Sequence, residues 1–244
     1  TVQTISKYEE LKKFDKNHFD YIIIDESHRS SADSYLRMMD YFEPQFLLGM
    51  TATPERTDAG DIFKLFDYNI AYEIRLNRAM EEEMLSPFHY FGVTDLYVDN
   101  EIREKDSDFN FLIEDERVDR IIEKIKFYGC DSGIINGLIF CSNNNESNEL
   151  SGKFNARGYK TISLTGDNSE EERVEAINRL ESNNSNDKID YIFTRDIFNE
   201  GIDIPKVNQI IMLRPTQSAI VFVQQLGRGL RKNERKEYLT VIDF

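Results

Sequence analysis

Three short stretches carry side chains whose types and spacing suit phosphoryl chemistry. Asp25-Glu26-Ser27-His28 follows directly on the apolar run Tyr21–Ile24. Adjacent carboxylates there can divide the work: Asp25 holds Mg²⁺ and Glu26 polarises an attacking water. Taken alone, an acidic strand end is more often a helix N-cap or a solvated turn, and a single histidine such as His28 more often a hydrogen-bonded surface residue. The second stretch, Thr51-Ala52-Thr53-Pro54, begins 26 residues after Asp25 and puts two hydroxyls at the exit of the next apolar run. By itself it is an ordinary turn before a proline. The third is Gln224-Gln225-Leu226-Gly227-Arg228-Gly229-Leu230-Arg231. Arg228 and Arg231, three apart on an expected helix, share a face there, and two guanidiniums on one face make a clamp for phosphates. The competing reading is a basic helix end favoured by the macrodipole. The surroundings argue for function. Lys206 to Lys236 holds seven basic residues and one acidic residue, a local +6 in a chain of net −15.

The elements that must position these groups are strands and helices in alternation. Tyr21–Ile24, Phe46–Leu48, Leu138–Phe140, Tyr191–Phe193, Ile210–Leu213 and Leu239–Ile242 are continuous apolar runs, the pattern of strands buried on both faces of a parallel sheet. Between them, Val118, Ile121, Ile122 and Ile125 keep helical spacing, Ser169-x-x-Glu172 is a capping box ahead of Val174, Ile177 and Leu180, and Phe222, Leu226 and Leu230 recur every fourth residue. The fold class expected is α/β, with parallel sheets. Between Asp99 and Asp119 nine acidic residues face three basic ones, which reads as a solvated connector between two α/β units. The expected division is a first unit at 1–96, an acidic connector at 97–114 and a second unit at 115–244. In the first unit only two core strands are clear, and Phe88–Leu96 is a segment that crosses between units.

Length and composition limit the alternatives. A chain of 244 residues with 40% apolar and 31% charged residues can bury a core without disulfide or metal staples. A net charge of −15 argues against coating nucleic acid by bulk positive charge, though not against a local basic site. No apolar run approaches the ~18 residues of a membrane span, so no membrane partner is expected. The N-terminus has no signal-peptide pattern, and Cys130 and Cys141 form no C-x-x-C, so the expected compartment is the reducing cytoplasm.

Jointly the stretches resemble the motifs of superfamily 2 helicases and translocases. Asp25-Glu26-Ser27-His28 is similar to their Walker B box and Thr51-Ala52-Thr53 to motif III. Asn199-Glu200-Gly201-Ile202-Asp203-Ile204-Pro205 is similar to motif V, and Gln224-x-x-Gly227-Arg228-x-x-Arg231 to motif VI. The threonine-first Thr-Ala-Thr and the Gly-Arg-Gly-Leu-Arg wording are nearest to the restriction-enzyme Res-subunit type of DEAD/DEAH-box proteins. The resemblance covers nearly the whole chain.

It implies two RecA-like lobes and an ATP- and Mg²⁺-dependent motor acting on double-stranded DNA, the motif variants favouring DNA over RNA, with nuclease or accessory domains outside this chain. Residue by residue, it implies that Asp25 binds the metal and Glu26 activates water. His28 and Gln224 communicate across the cleft, and Thr51 and Thr53 couple hydrolysis to movement. Gly201 and Asp203 contact nucleotide or its metal, and Arg228 and Arg231 reach the γ-phosphate as arginine fingers. Thr4 lies in the Thr-Gln element, and Thr4, Thr165, Gly166 and Thr194 are the implied nucleic-acid contacts; Arg195 occupies the place where many relatives keep a backbone-contacting threonine. No G-x-x-x-x-G-K-[ST] occurs in the sequence, and Gly152-Lys153, followed by Phe154, lies inside an expected helix. The phosphate loop is therefore expected upstream of Thr1, the first lobe to be N-terminally truncated, and the fragment alone to be inactive. Two other readings stand beside this one: a non-catalytic nucleic-acid-binding module on a RecA-like scaffold, and an RNA-directed helicase.

Overall fold

A computed structural model of the chain describes residues 2–27, 33–51, 62–94, 113–197, 204–214, 219–234 and 236–244. Two compact units divide between Ile74 and Arg75.

In the first unit, β1 (Tyr21–Ile24) pairs in parallel with β2 (Phe46–Gly49), in register Tyr21 to Phe46 and Ile24 to Gly49. The short helices α1 (Val2–Ile5) and α2 (Tyr8–Leu11), together with α3 (Asp33–Tyr41), pack a small core of Leu11, Ile24, Met38 and Phe42. Helix α4 (Ile62–Leu65) brings Phe66 against that core. Burial on both faces, expected of Tyr21–Ile24, is not found: Tyr21 and Ile23 are 71% and 61% exposed, while Ile24 is buried. Successive side chains alternate across a strand, and only one face of this pair is covered by the helices described.

The second unit is one six-stranded, all-parallel sheet in the order β3-β8-β7-β4-β6-β5. Its strands are β3 (Phe88–Gly92), β4 (Gly137–Phe140), β5 (Thr161–Leu164), β6 (Tyr191–Thr194), β7 (Gln209–Met212) and β8 (Leu239–Asp243). Helix α5 (Leu76–Glu81) precedes β3. Helices α6 (Asp115–Tyr128) and α7 (Asn144–Ala156) cover one face through Val118, Ile121, Ile122, Ile125, Leu150 and Phe154. Helices α8 (Glu170–Leu180) and α9 (Ala219–Gly229) cover the other through Ala176, Leu180 and Leu226. β4 shows why a continuous apolar run is needed: Leu138 and Phe140 face one layer, Ile139 and Cys141 the other, and all four are fully buried. The expected capping box opens α8, with Ser169 Oγ accepting from the Glu172 amide and Glu172 accepting from the Ser169 amide. Gly152 and Lys153 lie within α7.

Two expectations are corrected here. Val174 is 51% exposed, and Ala176 takes the buried place beside Leu180. The segment Phe88–Leu96 was expected in the first unit or crossing between units. Phe88–Gly92 instead pairs residue for residue with Leu239–Asp243, so the second unit begins well before residue 97. A lone edge strand gains nothing until it finds a partner with unpaired backbone groups, and here that partner lies about 150 residues further along the chain.

Candidate nucleotide and nucleic-acid sites

In the first unit the parallel ladder continues past both strands. The Met50 amide donates to the Ile24 carbonyl at 2.9 Å and the Ser27 amide donates to the Met50 carbonyl at 2.8 Å. The structure thus brings Asp25–Ser27 beside Met50–Thr51 at the C-terminal edge of one parallel pair, where α/β sheets hold their ligands. Asp25 is exposed, and its Oδ1 accepts the Glu26 amide at 2.9 Å. Glu26 is half-buried at φ +51, a backbone region unusual for a side chain of its size. Strain of this kind clusters at ligand sites. Thr51 is half-buried at the end of β2. His28 and Thr53 lie outside the described residues.

The donor set fits Mg²⁺ carried in with a nucleotide. Hard carboxylate oxygens suit that ion, which is commonly bound by one or two carboxylates plus substrate phosphates and water. No group of three or more His, Cys, Asp or Glu able to cage a metal is present among the described residues. Asp25 is the residue that would hold it.

In the second unit all strands run the same way, so the residues that follow them share one edge. Thr165 and Gly166 follow β5: the Thr165 amide donates to Asn168 Oδ1 at 2.7 Å, and the Gly166 carbonyl accepts from Arg173 at 3.0 Å. Thr194 closes β6 and is fully buried, its hydroxyl without a partner among the described residues. Next to it Arg195 is exposed and pairs with Asp196 at 3.0 Å. Asp196 also pairs with Arg214, which follows β7, at 2.7 Å. With its amide oxygen turned toward that guanidinium, Gln225 of α9 accepts from Arg214 at 2.6 Å. This network was missed because nothing in the local pattern distinguishes Arg214 from a surface arginine. In unit 1, Thr4 is exposed on α1. Gly201 and Asp203 lie outside the described residues.

Gln224 and Arg228 are four apart on α9 and share a face, both half-buried. Arg231 does not share it. Helix α9 ends at Gly229, so the three-residue spacing no longer implies a common face, and Arg231 is exposed in the segment beyond. Because α9 runs antiparallel to the strands, its end packs at the start of β8, against Leu239. An 11-residue helix spans about 16 Å, so Arg228 stands at the sheet edge opposite Thr165 and Arg195. The second unit therefore keeps two separate sets of candidate residues, one at each edge of its sheet.

An all-parallel sheet between helix layers is the architecture of a RecA-like α/β lobe. Solved structures agree on the fold. A fragment titled as an HsdR subunit of a type I restriction enzyme from Vibrio vulnificus YJ016 matches 96% of this chain and 45% of its own, at TM-score 0.73 and 22% identity. The type ISP restriction-modification enzyme LlaBIII, solved bound to DNA, matches all of this chain and 19% of its own at TM-score 0.72 and 20% identity. The family model for the res subunit of type III restriction enzymes matches residues 1–56, and that for the helicase conserved C-terminal domain matches 117–233. Among curated proteins, one from Saccharomyces cerevisiae named as the ATP-dependent helicase IRC3 is 27% identical over the whole chain and 36% of its own length. The EcoAI type I restriction endonuclease subunit of Escherichia coli is 26% identical over 96% of the chain and 32% of its own length. By these matches the chain is similar to superfamily 2 helicases of the restriction Res-subunit type. It spans about a third to a half of the length of the curated relatives it matches. Among the described residues no helix is long and apolar enough to cross a membrane.

Proposed function

We propose that this chain is part of an ATP-driven motor that moves along duplex DNA. The observation that carries the reading is the placement of Asp25–Ser27 against Met50–Thr51 at one strand edge, in a chain whose other unit bears Arg228 on a separate helix. Bound ATP·Mg²⁺ supplies the transferable phosphoryl group and its charge-neutralising ion. Asp25 holds the ion, and Glu26 orients a water and takes its proton at the carboxylate. Arg228 and Arg231 stabilise the charge that develops on the phosphate oxygens. Gly201 and Asp203 add nucleotide contacts, and His28, Gln224, Thr51 and Thr53 relay the state of hydrolysis. The opposite edge of the second unit, with Thr165, Gly166 and Arg195, takes the phosphate backbone. The sheet and α9 between the two edges convert hydrolysis into movement. Restriction-enzyme relatives and a relative solved on DNA support DNA as the track. Lobes joined within one chain are commonly free to move relative to each other. Nuclease or accessory modules elsewhere in the protein, and a cytoplasmic location, complete the proposal.

The test is steady-state ATP hydrolysis by the full-length protein with duplex DNA, single-stranded DNA or RNA, alongside displacement of a triplex-forming strand from duplex DNA. Duplex DNA should stimulate turnover and drive displacement, and Glu26→Gln should abolish both while nucleotide still binds. Stimulation by RNA alone would replace DNA as the track. DNA binding without any hydrolysis would leave a non-catalytic module.

A further inference from the structure

The end of a helix leaves its last carbonyls without partners inside the helix. At the end of α9 Lys236 supplies a partner for the last one, and Ser86 binds the two carbonyls that follow. Lys236 Nζ donates to the Gly229 carbonyl at 2.8 Å, the Ser86 amide donates to Leu230 at 2.7 Å, and Ser86 Oγ donates to Arg231 at 3.0 Å. Three consecutive carbonyls, beginning one residue after Arg228, are thus held from outside the helix. The same ammonium reaches further, donating to the carbonyls of Pro205 and Val207, each at 3.0 Å. Lys236 is 7% exposed and Ser86 2%. An ammonium has three donors, and here each has a backbone carbonyl within reach. Burying such a charge is costly unless it is satisfied, and an apolar side chain would fill the place at lower cost. What an apolar residue could not do is tie the end of α9 to the segment that immediately follows Gly201–Asp203. The positive charge also sits at the negative end of the α9 dipole.

We propose that Lys236, assisted by Ser86, is a positioning residue of the ATPase: it locks the arginine-bearing end of α9 and the Ile204–Val207 segment into one geometry, and so fixes where Arg228 stands. The proposal rests on the reading of Arg228 given above. Lys236 acts through Arg228.

The experiment compares Lys236→Met, Ser86→Ala, Arg228→Ala and the Lys236→Met/Arg228→Ala double variant in the full-length protein, with kcat counted per nucleotide-binding site. Displacing a catalytic group by about 1 Å can cost ~10²-fold, so Lys236→Met should lower DNA-stimulated kcat by about that factor while KM for ATP moves less than about threefold. The double variant should be no slower than Arg228→Ala alone, because a group acting through another adds nothing once that other is gone. Without nucleotide, amide hydrogen exchange should quicken together in peptides covering 204–208 and 226–232. If Lys236→Met does not fold, Ser86→Ala decides the matter, with a smaller kcat loss at unchanged KM expected. Unchanged kcat in the folded variants beside a crippled Arg228→Ala would overturn the proposal and leave the arginine assignment intact. Multiplying losses in the double variant would overturn it as well. An unchanged kcat in Arg228→Ala itself would remove the arginine assignment and the proposal together.

Discussion

At the scale of single residues, the charges in this chain divide by what surrounds them. Arg117 and Glu146 are buried at 1% and 0% exposure and paired at 3.2 Å. Burial pushes the Glu146 carboxyl above its usual range in spite of that partner. This pair fastens α6 to α7. Arg228 differs in being half-buried on a face it shares with Gln224. A guanidinium that serves phosphoryl transfer contributes chiefly when charge shifts onto the phosphate oxygens, so its loss should appear in kcat rather than in binding. Arg228→Ala is expected to cut kcat by roughly 10³–10⁵ with little change in nucleotide Kd. Arg228→Lys should rescue little, since an ammonium lacks the planar two-pronged geometry. Measuring kcat and Kd at two salt concentrations separates this from a basic helix end, for which kcat would hold and DNA affinity would fall with salt.

At the scale of elements, the seat of α9 and the β3–β8 seam decide where the arginines stand. A Cβ added to Gly229 would lie 2.5 and 2.6 Å from the Leu239 methyls and 3.1 Å from Ile210, whereas one added to Gly227 meets nothing within 4 Å. Leu239 is fully buried and has nowhere to retreat. Gly229→Ala should therefore lift the end of α9 and cost about 1–3 kcal/mol. Gly227→Ala, the stability control, should be neutral or gain up to about 1 kcal/mol of helix propensity. Urea unfolding of both variants checks this, and equal stabilities would mean that α9 does not sit as close to β8 as described.

Across the seam, the Tyr90 phenol donates to the Asp243 carboxylate. Burial, then that hydrogen bond and the nearby negative charge, push its pKa up to about 12. An unfolded tyrosine titrates near 10. The folded state therefore keeps its proton where the unfolded state has lost it, and stability should fall as pH rises from about 10 toward 12. Tyr90→Phe should flatten that part of the alkaline limb in urea unfolding. A limb of unchanged slope would remove the seam's pH dependence.

At the scale of the whole molecule, the division between Ile74 and Arg75 makes a claim about folding. Residues 75–244 contain the complete six-stranded sheet and both layers of its core, whereas 97–244 lacks β3 together with Leu85 and Phe88, which pack on that core. The longer piece should unfold cooperatively. The shorter should melt on the order of 10 °C lower, because each kcal/mol of lost packing moves Tm by about 2–4 °C at this size. Calorimetry of the two pieces tests the boundary, and equal melting temperatures would return it to the neighbourhood of residue 97.

The sequence by itself determined what depends on neighbours along the chain. Continuous runs such as Leu138–Phe140 and Tyr191–Phe193 read as buried parallel strands and are found so, and Ser169 with Glu172 fixed the start of α8. Motif wording and order give Asp25, Glu26, Thr51 and Arg228 their resemblance to the motifs of superfamily 2 helicases. Only the tertiary structure decided what depends on distant partners. β3 found its place on the far edge beside β8, and Tyr21 and Ile23 lie outward because, among the described residues, helices cover one face of their strand pair. Helix α9 stops at Gly229, which parts Arg231 from Arg228, where sequence spacing had put them on one face. The groups that cap that end come from Lys236, seven residues on, and from Ser86, 145 residues back. Periodicity and propensity act over a turn or two of chain, and neither can report a hydrogen bond made across that separation.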